Sequence, residues 1–281
     1  MSGPGRLSSL LIHGVLILGI AVIGFPILIA LIASSHDQIT LVGKFPFYFG
    51  DHFIENYRTV LGEGMARAGG GSVASMLVNS FIMAIVIAVG KIVISILSAF
   101  AIVYFRFPFR MGFFWMIFIT LMLPVEVRIL PTYQVIANLE MLNSYTGLTL
   151  PLIASATATF LFRQFFLTVP EELTEAARID GAGPMRFFWD VLLPLSRTNI
   201  AALFVIVFIY GWNQYLWPLL VTQEESMYTV VMGIQRMVTV ADAQAEWNLV
   251  MATTILALLP PVLVVVLMQR WFVKGLVETE K

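Results

Sequence analysis

Six stretches of this 281-residue chain run apolar for about twenty residues or more: 10–33, 78–105, 112–134, 146–166, 199–220 and 248–272. A helix rises 1.5 Å per residue, so about twenty residues cross a hydrocarbon core ~30 Å thick. Lipid offers no partner to a backbone N–H or C=O, so only helices and closed barrels can cross it. Barrel strands would read as short alternating segments, and these runs are continuous. The expectation is an all-α membrane protein of six transmembrane helices, forming a single transmembrane domain over residues 1–281. Composition agrees: 59% of residues are hydrophobic and 12% are charged, roughly half the charge of a soluble domain. The first run is 24 residues long, beyond the roughly 7–15 of a signal peptide's apolar core, so it is expected to be a retained span.

Lysine and arginine in the loops set the direction. With both termini cytoplasmic, the inner set is Arg6, Arg106, Arg110, Arg163, Arg178, Arg186, Arg197, Arg270, Lys274 and Lys281. The outer set is Lys44, Arg58, Arg67, Arg128 and Arg236. The bias therefore puts both termini in the cytoplasm. Net charge is −1, which leaves no basic surface for nucleic acid. There is no cysteine, and His13, His36 and His52 have no metal-ligand spacing. No G-x-x-x-x-G-K-[ST] loop occurs, since Gly90-Lys91 is followed by isoleucine and has no glycine five residues earlier. No nucleophile–base constellation appears either. By these signals no enzymatic site and no cofactor of the chain's own are expected.

One inner segment is polar: "PEELTEAARIDGAGPMRFFWDVLLP", residues 170–194. Thr168-Val-Pro-Glu171 fits a capping box, and Glu171 and Glu172 suit a helix N-terminus. Leu173, Ala176, Ala177 and Asp180 fall on one face that is nearly bare of bulk. Gly181 is the predicted C′ residue that stops this helix. Gly183-Pro184 starts a second, with Met185, Phe188, Trp189 and Leu192 on one apolar face and Arg186 paired to Asp190. Pro194 is expected to end it. Such a hairpin, over 168–195, suits docking to a protein better than lying on an anionic lipid surface, though an interfacial amphipathic loop is the other reading.

Polar residues also fall inside the spans. Lys91 lies near the middle of its run, at a cost of at least ~2.5 kcal/mol on insertion scales. Glu126 sits ~21 Å along the third span, with Arg128 two residues farther, and Asn213 and Gln214 reach the same height on the fifth. Side chains from two spans meeting at one depth predict a lined cavity. Alternatively, Lys91 bonds to a neighbouring helix and Arg128 snorkels to headgroups. Pro124, Pro131, Pro151, Pro218, Pro260 and Pro261 fall in or at the ends of spans, and the Pro260-Pro261 pair is the expected hinge. Trp212, Tyr215 and Trp217 read as an interfacial belt.

Glu175-Ala176-Ala177, three residues, Gly181, nine residues, then Val191-Leu192-Leu193-Pro194 resembles the EAA-x3-G-x9-I-x-LP signature of ABC-importer permeases, with valine for isoleucine as the one departure. The resemblance implies the type I permease fold in a multi-pass protein of the bacterial inner membrane. It implies that Glu175, Ala176, Ala177, Gly181, Met185, Arg186, Phe187, Phe188 and Pro194 couple the spans to an ATPase. The implied partners are a second homologous permease, a homodimeric ABC ATPase holding ATP and Mg, a periplasmic substrate-binding protein and membrane lipid. "LSAFAIVYFRFPFR", "TLMLPVEVRILPTYQVIANL", "ASATATFLFRQFF" and "FIYGWNQYLWPLL" are similar to the maltose-type, carbohydrate-uptake group, and within it to permeases of sn-glycerol-3-phosphate importers. The outer loop with "GEGMARAGGGS" departs most. A glycerol phosphate or glycerophosphodiester substrate would give Arg128 and Lys91 a purpose in its path. A neutral sugar or polyol would leave both structural. An ion-coupled transporter would need buried carboxylates, and Glu126 alone lies within the spans. In the same group the outer loop 221–247 contacts the binding protein; a lid on its own subunit is the other expectation.

Overall fold

The computed structural model describes residues 6–43, 45–63, 71–123, 125–239 and 245–278, with backbone only at 6, 7, 63, 121, 125, 126 and 270–278. Pro124, most of the glycine-rich stretch and the Glu126 side chain therefore lie outside the described residues. Every regular element among the described residues is helical. In chain order, α1 (Arg6–Ala33), α2 (Gln38–Gly43) and α3 (Phe53–Arg58) lead through a π turn to α4 (Val73–Tyr104). Next come α5 (Arg110–Ile119), α6 (Val125–Asn138), α7 (Tyr145–Thr149), α8 (Ala156–Thr168) and α9 (Glu171–Ile179). The remainder is α10 (Pro184–Phe187), α11 (Leu193–Leu195), α12 (Arg197–Trp212), α13 (Leu216–Val221), α14 (Val230–Val238) and α15 (Trp247–Glu278).

Among the described residues three helices are long and apolar enough to cross a bilayer: Ser8–Ala33, Val73–Tyr104 and Trp247–Gln269. Two bent pairs raise the number to five if each pair is one span: Tyr145–Leu152 with Ala156–Thr168 at 48°, and Pro184–Leu195 with Arg197–Trp212 at 70°. The runs expected as continuous spans at 112–134, 146–166 and 199–220 are each interrupted. The causes are local. Leu123 is extended at φ −85°, ψ 114°, as a residue before proline tends to be. Ser155 is extended too, and its hydroxyl accepts from the Ala158 N–H at 3.3 Å, so α8 starts afresh after Pro151. Pro218 has no N–H to continue α12's ladder, and α13 restarts with that proline in its first turn. The expected hinge shows no interruption: α15 runs helical through Pro260 and Pro261. An apolar run sets the length of a crossing but is silent about backbone continuity within it.

The chain divides into two compact units, Met1–Ser75 with Gly233–Leu259 and Met76–Met232 with Pro260–Lys281. The first is tied by amides. Buried Asn56 donates to the Ser34 and His36 carbonyls at 2.9 and 2.8 Å and accepts from Asn248 at 3.0 Å. Gln38 donates to the Ala245 carbonyl at 2.7 Å and accepts from the Trp247 N–H at 2.8 Å. By contrast α1 leaves its apolar side chains exposed from Leu10 to Leu28.

The second unit packs α4 against α12. A Cβ on Gly211 would lie 3.0 Å from the Ala84 Cα, so the two backbones touch. A Cβ on Gly90 would lie 2.7 Å from Ile153. Phe162, Phe166, Phe208 and Trp212 fill the interior. Trp217 is 4% exposed and its indole N–H donates to the Gly147 carbonyl at 3.1 Å. The expected interfacial belt is therefore corrected: Trp212 and Trp217 are core residues, because the break at 213–215 turns their side of the chain inward. The loop after α13 is strapped to its own chain. Asn79 donates to the Ser226 and Tyr228 carbonyls at 2.8 and 3.0 Å, and the Ser80 hydroxyl accepts from the Val230 N–H at 2.8 Å.

Candidate functional site

The polar hairpin forms, with changes at both ends. Thr168 makes no capping box, because its hydroxyl turns back to the Phe165 carbonyl at 2.7 Å and closes α8. Pro170 is the N-cap of α9, with no side-chain bond. At the other end Gly181 has φ +72°. Its N–H donates to the Arg178 carbonyl at 3.0 Å, and the Ala182 N–H donates to the Ala177 carbonyl at 2.8 Å. These two bonds are a Schellman turn, and only glycine enters that backbone region without strain.

Helix α9 turns Ala177 inward and leaves Glu175, Ala176 and Arg178 exposed. A pocket of about 390 Å³ opens beside it, where Glu171, Thr174, Glu175 and Arg178 face Tyr104, Arg106 and Arg110. Among the described residues no ion pair joins these charges. They remain available to another surface.

The second half begins at Gly183 and winds through α10 into a π turn, Phe188–Leu192. That wide turn alters which residues face inward. Phe187, Phe188 and Leu192 are buried, while Met185 and Trp189 are more than half exposed. The expected apolar face of Met185, Phe188, Trp189 and Leu192 is thus split. Phe188 lies 4.9 Å from Phe100 and Phe187 lies 5.3 Å from Tyr104, ring to ring, which fastens the hairpin to the end of α4. Arg186 and Asp190 pair at 3.3 Å on the exposed side. Pro194 does not end the helix as expected. The π turn makes room for its ring, α11 continues to Leu195, and the chain bends at Ser196, whose hydroxyl donates to the Leu192 carbonyl at 2.6 Å.

Of the five pathway candidates, the structure gathers some. Lys91 is 9% exposed and its Nζ lies 4.0 Å from the centroid of the Tyr210 ring. Arg128 is exposed near the start of α6. Gln214 is half-buried and donates to the Tyr210 carbonyl at 3.1 Å. Asn213 is exposed in the break between α12 and α13 and meets neither cation in any recorded contact. Sequence reasoning missed Tyr210. Its spacing of three and four residues from Asn213 and Gln214 was the available signal.

Residues 91–278 match the family described as binding-protein-dependent transport system inner membrane component. The chain is 65% identical to the sn-glycerol-3-phosphate transport system permease protein UgpE of Brucella melitensis, over 98% of both chains. It is 65% identical to that of Agrobacterium fabrum over 96% of both, and 62% to that of Yersinia enterocolitica over 96% of both. The fold is similar to a crystal structure of a bacterial ABC transporter involved in the import of the acidic polysaccharide alginate, with TM-score 0.81, 18% identity, and 97% of this chain and 99% of that one covered. With an apolar helical body, the Glu175–Pro194 signature and these matches, the chain belongs to the binding-protein-dependent inner membrane components, the permeases of ABC importers.

Proposed function

We propose that this chain is the permease subunit through which an ABC importer carries sn-glycerol 3-phosphate, or a related glycerophosphodiester, into the cytoplasm. The observation that carries this reading is 65% identity over 98% of the length to a relative of that name. Six crossings belong to the same reading, with α5–α6, α7–α8 and α12–α13 each counted as one, alongside α1, α4 and α15. Both termini face the cytoplasm of a multi-pass bacterial inner-membrane protein, as the arginine and lysine bias favours. All six crossings act as one permease domain.

The work is divided. A periplasmic binding protein delivers substrate, a second homologous permease completes the pathway, and a homodimeric ATPase holding ATP and Mg drives the cycle. The hairpin 168–195 meets that ATPase through its exposed face, Glu175, Ala176, Met185 and Arg186. Ala177, Phe187 and Phe188 anchor it, so force entering the hairpin reaches α4 through tilted and edge-on ring contacts rather than a loose loop. Gly181 sets the turn between its halves, and Pro194 lies where the hairpin passes towards α12. Lys91, Arg128 and Gln214 line the substrate's path, with Asn213 and Glu126 assigned to the same level.

The test is uptake of radiolabelled sn-glycerol 3-phosphate in a bacterium lacking its own permease for it, given this chain and its companion subunits. Uptake that needs the ATPase subunit, and that falls with Glu175→Arg, is expected. Uptake of a neutral polyol but not the phosphate would overturn the substrate. Uptake without the ATPase would overturn the coupling.

A further inference from the structure

Two interrupted spans meet α4 around one lysine in the second unit. Gly90, beside Lys91, meets Ile153 at the break before α8, and its missing side chain allows that contact. Tyr210, whose ring faces the Lys91 ammonium at 4.0 Å, lies three residues before the break at 213–215. Non-helical backbone at membrane depth is tolerated where it is buried in protein or lines an aqueous cavity.

The Lys91 charge has no opposite charge against it among the described residues. Lys91 makes no hydrogen bond and no ion pair among them, and its ammonium meets an aromatic face. A ring face offsets only part of the cost of burying an ammonium. Such an arrangement is completed by an anion, and a phosphate monoester, close to −2 at neutral pH, offers one.

We propose that Lys91 is a recognition point for the phosphate of the transported solute, and that Tyr210 is a positioning residue holding the Lys91 ammonium ready on its ring. This rests on the glycerol phosphate reading above. Substrate arriving beside Lys91 draws its ammonium from the ring. Tyr210 thus lowers the energy of the empty site without competing for the anion. Gln214, bonded to the Tyr210 carbonyl at 3.1 Å, steadies that end of α12.

The experiment uses the whole importer in proteoliposomes: both permeases, the ATPase and loaded binding protein. Two quantities are read together, the maximal rate of sn-glycerol 3-phosphate uptake and the ATP hydrolysed per molecule moved. Lys91→Met should lower maximal uptake about tenfold or more, as expected for losing a contact to a charged group. Tyr210→Leu should lower it about threefold, in the range of a cation–π contact. In both, ATP spent per molecule should rise, because stimulation by the binding protein continues while passage falters. Lys91→Arg and Tyr210→Phe should recover most of the rate. A fall in uptake and ATPase together, with an unchanged ratio, would assign both residues a structural role and overturn the proposal. So would wild-type uptake in Tyr210→Leu, which carries the test by itself if Lys91→Met fails to assemble. Failure of the wild-type assembly to move glycerol phosphate at all would instead sink the substrate reading and, with it, this inference.

Discussion

Replacing Gly181 by asparagine, alanine and valine in turn separates backbone strain from bulk. Its φ is +72°, yet a Cβ built there meets nothing within 4 Å. For alanine any cost therefore comes from the backbone alone. Alanine in this left-handed region costs about 1–2 kcal/mol. Asparagine visits it readily and costs less, whereas a β-branched valine costs more. A change of 1–2 kcal/mol alters the balance between the closed and opened turn by a factor of about 5–30. The assay is ATPase activity of the complete importer stimulated by loaded binding protein, with membrane insertion followed separately. The expected order is glycine, asparagine, alanine, valine, with insertion equal in all four. An explanation from size would put asparagine below alanine. That order, or full activity in Gly181→Val, would refute the reasoning.

Three further outcomes follow from the packing. Trp217→Phe removes the bond to the buried Gly147 carbonyl and should cost about 1–3 kcal/mol; an unchanged melting temperature of the solubilised chain would contradict the core placement of Trp217. Asn79→Ala releases the carbonyls of Ser226 and Tyr228 and the Tyr145 hydroxyl. Limited proteolysis near residues 223–228 should accelerate, and cleavage at the original rate would show that the strap does not restrain that loop. Burial raises the Tyr57 hydroxyl above its ordinary value of 10.0, so its contribution to stability is full below that pH and is lost as pH rises through the raised value. Tyr57→Phe should blunt alkaline loosening of the first unit, measured by hydrogen exchange, and an identical alkaline profile in wild type and variant would refute this.

Much of the polar hairpin was legible because its signals are local. A glycine two residues past a helix end, a proline in a first turn and an i, i+4 charge pair each act through neighbouring backbone, so Gly181, Pro184 and Arg186–Asp190 appear as read. Thr168 misled because two helix ends compete for one hydroxyl, and the nearer carbonyl, Phe165, wins. Phe187 and Phe188 could not be assigned to a face from an α-helical wheel, since the π turn changes the angular step.

The polar residues within the spans were legible one by one, and their partners less so. Lys91 stood out as a cation in an apolar run, but its partner depended on which ring α12 presents. Tyr210 carries no charge and sits among apolar residues, so composition gave it no prominence beside Asn213 and Gln214.

The sequence by itself determined that the chain is a helical membrane protein, that it lacks a phosphate-binding loop, and where its polar hairpin lies. Span length, helix ends and turn residues act within a few positions of the chain, and a linear reading captures them. Only the tertiary structure decided that Trp212 and Trp217 are core and that Tyr210 faces Lys91. Such placements depend on contacts between distant parts of the chain, across 70 residues for Trp217 and Gly147 and 119 for Tyr210 and Lys91, where the direction of a side chain is set by what the distant helix presents to it.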